Sequence, residues 1–388
     1  MNVPKIRYDN FTKEWEKVKL SSQASFLQGL TYTPNDVSND GTIVLRSSNI
    51  QNSMVDYNDI VRVNIIIPEK LKIKENDILM CVRNGSKSLV GKTAWLSKNE
   101  EKCTWGAFMN IIRPKEKNKF VYYYLNSKYF YNHVWKDLGT ATVNQITKQT
   151  LESCYLNIPS IEEQEKISNT LSLLDQKIKL QNKKIEDLKL FKKGLIQKIF
   201  SSNNLSEVKI KDLGTIITGT TPSKENKNYW NDGTIAWITP TDINYERDIS
   251  NSITSLTKEG LKKGRFVPKN SILVTCIASI GKNAVIKVDG SCNQQINAII
   301  PNNKFNSNYI YYLMEYISPY LQSIAGTSAT AIVNKETFER IKVKVHNYND
   351  QSRIDKYLSS VETKILLEDK LLNKLIKLKK GLMQSMFV

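Results

Sequence analysis

The segment Asn39-Asp40-Gly41-Thr42-Ile43 recurs letter for letter as Asn231-Asp232-Gly233-Thr234-Ile235. Lys192-Lys193-Gly194-Leu195-Ile196-Gln197-Lys198-Ile199-Phe200 recurs as Lys379-Lys380-Gly381-Leu382-Met383-Gln384-Ser385-Met386-Phe387, with six of nine residues identical. From Gly139 to Phe200 the first copy aligns without a gap on Gly326 to Phe387. A repeat of nearly half of a 388-residue chain is far longer than a solenoid unit of ~20–50 residues. The chain therefore reads as a duplicated domain, and any fold proposed for one copy has to suit the other.

Each copy opens with a long variable part, residues 1–160 and 204–347. Strand-like apolar runs alternate there with turn signals, and the runs correspond. Asp77-Ile78-Leu79-Met80-Cys81-Val82 matches Asn270-Ser271-Ile272-Leu273-Val274-Thr275-Cys276-Ile277, and Met109-Asn110-Ile111-Ile112 matches Asn297-Ala298-Ile299-Ile300. Val121–Leu125 and Tyr309–Leu313 read as helix starts whose tyrosines belong to the core. Short strands, Gly/Asn/Asp turns and one or two helices make an α+β domain.

Each copy closes on a helix, residues 161–203 and 348–388. Between Ser160 and Phe200 there is no proline, and the one glycine, Gly194, comes near the end. Ser160 and Glu163 match a capping box. Leu171, Leu174, Ile178, Ile185, Leu188, Leu195 and Ile199 then fall on a heptad, with Gln181 and Lys192 in the polar slots. The second copy repeats the pattern with Leu358, Val361, Ile365, Leu372, Leu375, Leu382 and Met386, and with Glu368 and Lys379. A seam held for about four heptads predicts that the two helices pack on each other. Their relative direction is not fixed by the pattern.

Charge points to a polyanionic partner. Lysine and arginine number 56 against 38 acidic residues, a net charge of +18 shared by both halves rather than held in one tail. Two similar modules in one chain also suit a ligand with pseudo-twofold symmetry, of which duplex DNA is the commonest. Chemistry of its own is not visible. Five cysteines form no C-x-x-C pair, and His133 and His346 are far apart, which argues against a zinc site or a histidine-based triad. Gly85–Thr93 has five residues between its glycines where a phosphate loop needs four, so it reads as a Gly-Lys turn presenting Lys92, repeated at Gly281-Lys282. No apolar run approaches the ~20 residues of a membrane span, and Met1–Arg7 lacks the core of a signal peptide. A cytoplasmic protein is expected, with no cofactor bound by this chain.

Polar loops after the shared strands read as DNA contacts. Arg46, Ser47, Asn49, Arg83, Asn84 and Lys87 occupy them in the first copy, and Thr239, Thr241, Asp242, Asn283, Gln294, Gln295 and Asn297 in the second. Arginine suits guanine O6/N7, and asparagine or glutamine suits adenine N6/N7. Lys92, Lys282, Lys262, Lys263 and Arg265 are cast as phosphate contacts.

In their order and duplication these motifs resemble the DNA specificity subunits of type I restriction–modification enzymes. The resemblance rests on Asn-Asp-Gly-Thr-Ile followed by Trp237-Ile238-Thr239, on Gly139-Thr140 and Gly326-Thr327, on Glu163-Gln164 opening a long helix, and on the Lys-Lys-Gly-Leu-x-Gln-x-x-Phe endings. Departures are Asp350-Gln351 at the second helix and Leu45 in place of Trp237. The family implies two target-recognition domains, each reading half of an asymmetric bipartite site, and two helices packed antiparallel as a spacer. It implies a non-catalytic subunit with two modification subunits that use S-adenosylmethionine and methylate adenine, and restriction subunits that use ATP and Mg. About 40 helical residues would span ~60 Å, an upper limit of about 17 base pairs. Rival readings are a standalone DNA-binding protein and an enzyme with an unrecognised site.

Overall fold

The computed structural model describes residues 3–138, 144–202, 205–243, 246–325 and 331–388; Gly139-Thr140 and Gly326-Thr327 lie outside the described residues. The chain forms two compact units, Met1–Asn182 with Lys370–Val388, and Lys183–Asp369. The sequence boundaries fall at the ends of two long helices, Ile161–Phe200 and Tyr348–Ser385, whereas the compact units divide both helices near their middles.

In the first unit Ile78–Cys81 lies between Met109–Pro114 and Thr93–Trp95, with Ala24–Gln28 outermost, all antiparallel. Successive side chains of a strand face opposite ways. Ile78 and Met80 enter a cluster with Phe120, Tyr123, Leu171 and Phe387. Leu79 and Cys81 enter another with Leu45, Ile50, Trp105 and Ile111, beneath a second four-stranded sheet. Burial on both faces is why this strand is written as a continuous apolar run. That second sheet carries Thr42–Leu45 beside Cys103–Trp105 in parallel.

The second unit repeats the plan. Ile272–Thr275 lies between Ile296–Pro301 and Asn283–Ile286, with Gly214–Thr218 outside. Ile272 and Val274 pack with Tyr309, Phe200 and Leu358, and Leu273 packs with Ala236, Ile238 and Ile286. The repeated Asn-Asp-Gly-Thr-Ile is a turn into Thr42–Leu45 and into Ile235–Ile238. Gly41 takes φ +110°, and a β-carbon there would meet the Val63 carbonyl oxygen at 2.3 Å. In the second copy Asp232 adopts the left-handed conformation instead, at φ +57°. The tyrosine segments are helical and buried, as their pattern predicts.

Within each unit the long helices pair antiparallel. In the second, Lys184 lies 2.6 Å from Glu368 and Lys192 lies 2.6 Å from Glu362, so later residues on one helix meet earlier ones on the other. In the first, Lys379 lies 2.5 Å from Asp175, and Ile167 and Leu171 pack with Met383 and Phe387. Leu171, Ile185, Leu358 and Val361 are buried; Leu174, Ile178, Leu188, Leu195, Ile365, Leu372, Leu375 and Leu382 are half-buried. Leu180 and Leu190, outside the heptad slots, are 67% and 70% exposed, so apolarity alone does not set burial along the helix.

One cap differs from its expected form. The Ser160 hydroxyl accepts from the Glu163 amide at 3.4 Å, but the Glu163 carboxylate does not return to Ser160. It accepts two hydrogen bonds from Arg7 at 2.8 Å and one from the Trp15 indole at 3.3 Å. A bidentate guanidinium outcompetes a single backbone amide for a buried carboxylate. The next residue is the shared anchor: Gln164 donates to the Pro159 carbonyl at 3.0 Å and Gln351 to the His346 carbonyl at 2.9 Å, both side chains being buried.

Candidate nucleic-acid interface

Four loops meet at one end of the strands in each unit, and matching hydrogen bonds from backbone amides fix their correspondence. The amide of Arg46 donates to Asn49 Oδ1 and that of Thr239 to Asp242 Oδ2, each at 2.8 Å. Gly106 N donates to the Leu45 carbonyl and Asn293 N to the Ile238 carbonyl, each at 3.0 Å. Val82 N donates to the Phe108 carbonyl at 3.0 Å and Cys276 N to the Gln295 carbonyl at 2.8 Å. Asn84 N donates to the Asn144 carbonyl at 3.3 Å and Ala278 N to the Ala331 carbonyl at 3.2 Å. Antiparallel bridges then align Arg83 with Gln145 and Ile277 with Ile332. One frame is thus decorated twice with different side chains.

The Gly-Lys turn behaves alike in both copies. Gly91 (φ +88°) and Gly281 (φ +85°) close the loop by donating to the Cys81 and Thr275 carbonyls at 2.8 and 2.9 Å. Lys92 is half-buried and Lys282 exposed.

Among the expected contact residues, surface and brace separate. Arg83 is exposed, its guanidinium 5.2 Å from the centre of the Phe108 ring, and Phe108 is itself 57% exposed. Lys87 sits over the half-exposed Trp135 at 5.0 Å. Asn84 donates to the Ser47 hydroxyl at 3.1 Å, tying two loops together. Arg46 pairs with Asp59 at 2.9 Å. Thr241, Gln294, Lys262, Lys263 and Arg265 are exposed; Thr239 and Gln295 are half-buried. Arg265 donates to the Thr218 carbonyl at 2.8 Å, and the Gln294 amide oxygen accepts from Thr221.

Three buried residues, Asn49, Asn283 and Asn297, are corrected from contacts to internal braces, and half-buried Asp242 braces its own loop. Asn49 is fully buried and donates to the carbonyls of Asp56 and Asp59 at 2.9 and 2.8 Å. Asp242 accepts from the amides of Thr239 and Ile253, each at 2.8 Å. Asn283 donates to the Tyr311 carbonyl at 2.8 Å. Asn297 accepts from the Thr218 hydroxyl at 2.7 Å and donates to Cys276 Sγ at 3.2 Å. Their polarity satisfies loop backbone and neighbouring groups, since buried polar atoms need partners.

Sequence reasoning passed over Phe108, Trp135, Gln145, Ile277 and Ile332. The gapless alignment places Gln145 opposite Ile332, which was a usable signal; a search for polar residues discards isoleucine and aromatic rings.

Neither unit carries a visible reaction centre among its described residues. Among the described residues no group of three or more His, Cys, Asp or Glu is placed to hold a metal ion. Burial pushes the thiols of Cys81 and Cys276 up to about 11 and that of Cys292 up to about 12, so none is a ready thiolate. No described helix is long and apolar enough to cross a membrane.

The family model for the type I restriction modification DNA specificity domain matches residues 12–190 and 203–377. The MjaIX specificity subunit of Methanocaldococcus jannaschii is 36% identical over 168 residues, which is 42% of this chain and 38% of that relative. The putative MjaX specificity subunit of the same organism is 24% identical across 98% of this chain and 95% of its own length. Among solved structures, the type I S subunit from M. genitalium superposes with a TM-score of 0.60 at 16% identity, covering 100% of this chain and 99% of that one. A chain of a type I R-M system reaches a TM-score of 0.62 at 13% identity, covering 97% and 98%.

Proposed function

Because this chain belongs to the type I restriction–modification DNA specificity family, with the family's domain present twice, we propose that it is the specificity subunit of such a complex. Each unit reads one half of an asymmetric, bipartite site in double-stranded DNA. Two modification subunits, which supply S-adenosylmethionine-dependent adenine methylation, and restriction subunits, which supply ATP- and Mg-dependent cleavage, take their address from it. The chain itself binds and does not catalyse, and it works in the cytoplasm.

One observation carries this reading: a single loop frame, held by the same hydrogen bonds in both units, presents different side chains in each. A duplicated catalyst would keep its reacting residues and vary elsewhere. A reader of two unlike half-sites keeps its frame and varies what the frame displays.

The test is a map of N6-methyladenine across the source genome with and without the gene. Loss of methylation at one split, asymmetric motif is the expected result. An unchanged map, together with failure to copurify with a methyltransferase, would reduce the chain to a standalone DNA-binding protein.

A further inference from the structure

Resting on the reading that these loops face DNA, the geometry points to a division of chemistry between the two units. We propose that the first unit reads its half-site with hydrogen-bonding groups at Arg83 and Gln145, and that the second reads thymine C5-methyl groups with the apolar pair Ile277 and Ile332.

The bridge that joins Arg83 to Gln145 is the same bridge that joins Ile277 to Ile332. Directly opposed residues on adjacent strands hold their β-carbons ~5 Å apart, so each pair acts as one surface element. In the first unit that element offers a guanidinium braced over Phe108 and an exposed amide. In the second it offers two branched aliphatic chains, with Ile332 48% exposed and Ile277 half-buried. Isoleucine side chains left facing water gain nothing from it, and here they replace an arginine suited to guanine and a glutamine suited to adenine.

The neighbouring positions change in the same sense. Arg46 is replaced by Thr239 and Asn84 by Ala278. Ala278 holds φ +62°, a left-handed conformation that costs a residue with a β-carbon free energy, and such positions concentrate at functional sites. Lys282, exposed at the closing turn of this same loop, gives the apolar element a basic neighbour. An apolar centre with a cation beside it suits a thymine-bearing groove edge next to phosphate. Thymine's methyl group is the one apolar feature of the major-groove code.

The test uses the full chain and a randomised duplex library. Once a duplex has been selected, each thymine is replaced singly by deoxyuridine, which removes only the C5-methyl. Wild-type protein should lose about tenfold in affinity at one or two positions, all in one half-site. The double variant Ile277→Ala/Ile332→Ala should bind thymine and deoxyuridine duplexes alike, while still rejecting base changes in the other half-site, which shows that it is folded. Arg83→Ala/Gln145→Ala should keep the deoxyuridine penalty and lose discrimination in the opposite half-site. Indifference of wild type to every deoxyuridine, or a penalty that survives loss of both isoleucines, overturns the assignment while leaving the DNA-reading function intact. If no duplex is enriched, both readings fall.

Discussion

Lys192 Nζ lies 2.6 Å from Glu362 Oε1, one long helix reaching the other. Glu362 also accepts from the Tyr312 hydroxyl at 2.8 Å, and Tyr312 lies within 3.2 Å of the Ser359 hydroxyl. The first unit holds the same quartet: Lys379, Asp175, Tyr123 and Ser172, with the tyrosine donating to Asp175 at 2.8 Å. The tyrosine comes from the α+β domain, the serine and acid from one long helix and the lysine from the other. Each quartet therefore fastens a domain to its helix pair, which accounts for both the lysine of the repeated ending and the tyrosines.

The two quartets differ in burial, so their loss should cost differently. Lys192 is 12% exposed and also lies 2.7 Å from Glu315, whose carboxyl burial holds above its usual range. Lys192→Met leaves two carboxylates without this cation and should destabilise the second unit by about 3 kcal/mol. Asp175 is 34% exposed, and Lys379→Met should cost about 1 kcal/mol. Urea unfolding of both variants measures the difference; equal losses would show that burial does not set the cost.

Glu163→Ala should be far more damaging than Asp350→Ala, although both sit in the first turn of a long helix. Glu163 is buried and serves Arg7 and Trp15. The half-buried Asp350 carboxylate accepts from the exposed Asn347 amide at 2.7 Å and lies 3.8 Å from the exposed Arg353. Losses of about 3 kcal/mol and under ~1 kcal/mol are expected by the same unfolding measurement.

Arg83→Ala should relax recognition at one base pair of one half-site by about 1–3 kcal/mol, whereas Lys282→Ala should weaken all duplexes alike and reduce the salt dependence of binding. Binding titrations against single-base variants at two salt concentrations separate the two roles. A uniform loss for Arg83→Ala would recast it as a phosphate contact.

Removing one heptad from both long helices should shorten the unspecified stretch of the target by about three base pairs and leave both half-sites unaltered, since seven helical residues rise ~10.5 Å and a base pair ~3.4 Å. Methylation mapping reads this directly, and an unchanged spacing would show that helix length is not the ruler.

His346 gives the second unit a pH dependence. Burial lowers its pKa below the ordinary 6.5, a shift that Asp350 only partly opposes, and its Nδ1 lies 2.9 Å from the Tyr309 hydroxyl. The unfolded chain then binds more protons than the folded one below that value, so stability falls as pH drops through about 6.5. Unfolding midpoints at pH 7.5 and 5.5 should differ more for the wild type than for His346→Gln.

The sequence by itself determined the duplication, the α+β domains, the buried tyrosine helices and the heptad seam. Each rests on a period or a repeated string, and periodicity is set by local backbone geometry that any copy must obey. Tertiary structure decided what the polar residues do. Asn49, Asn283 and Asn297 carry the same letters as base readers, but the fold closes over them and turns them inward, and half-buried Asp242 is held by its own loop's amides. It also directed Glu163 to Arg7 rather than to its own helix end, and set Ile277 and Ile332 where Arg83 and Gln145 stand in the other unit. Whether a side chain braces a loop or faces outward depends on neighbours far away in the chain, and no local pattern records them.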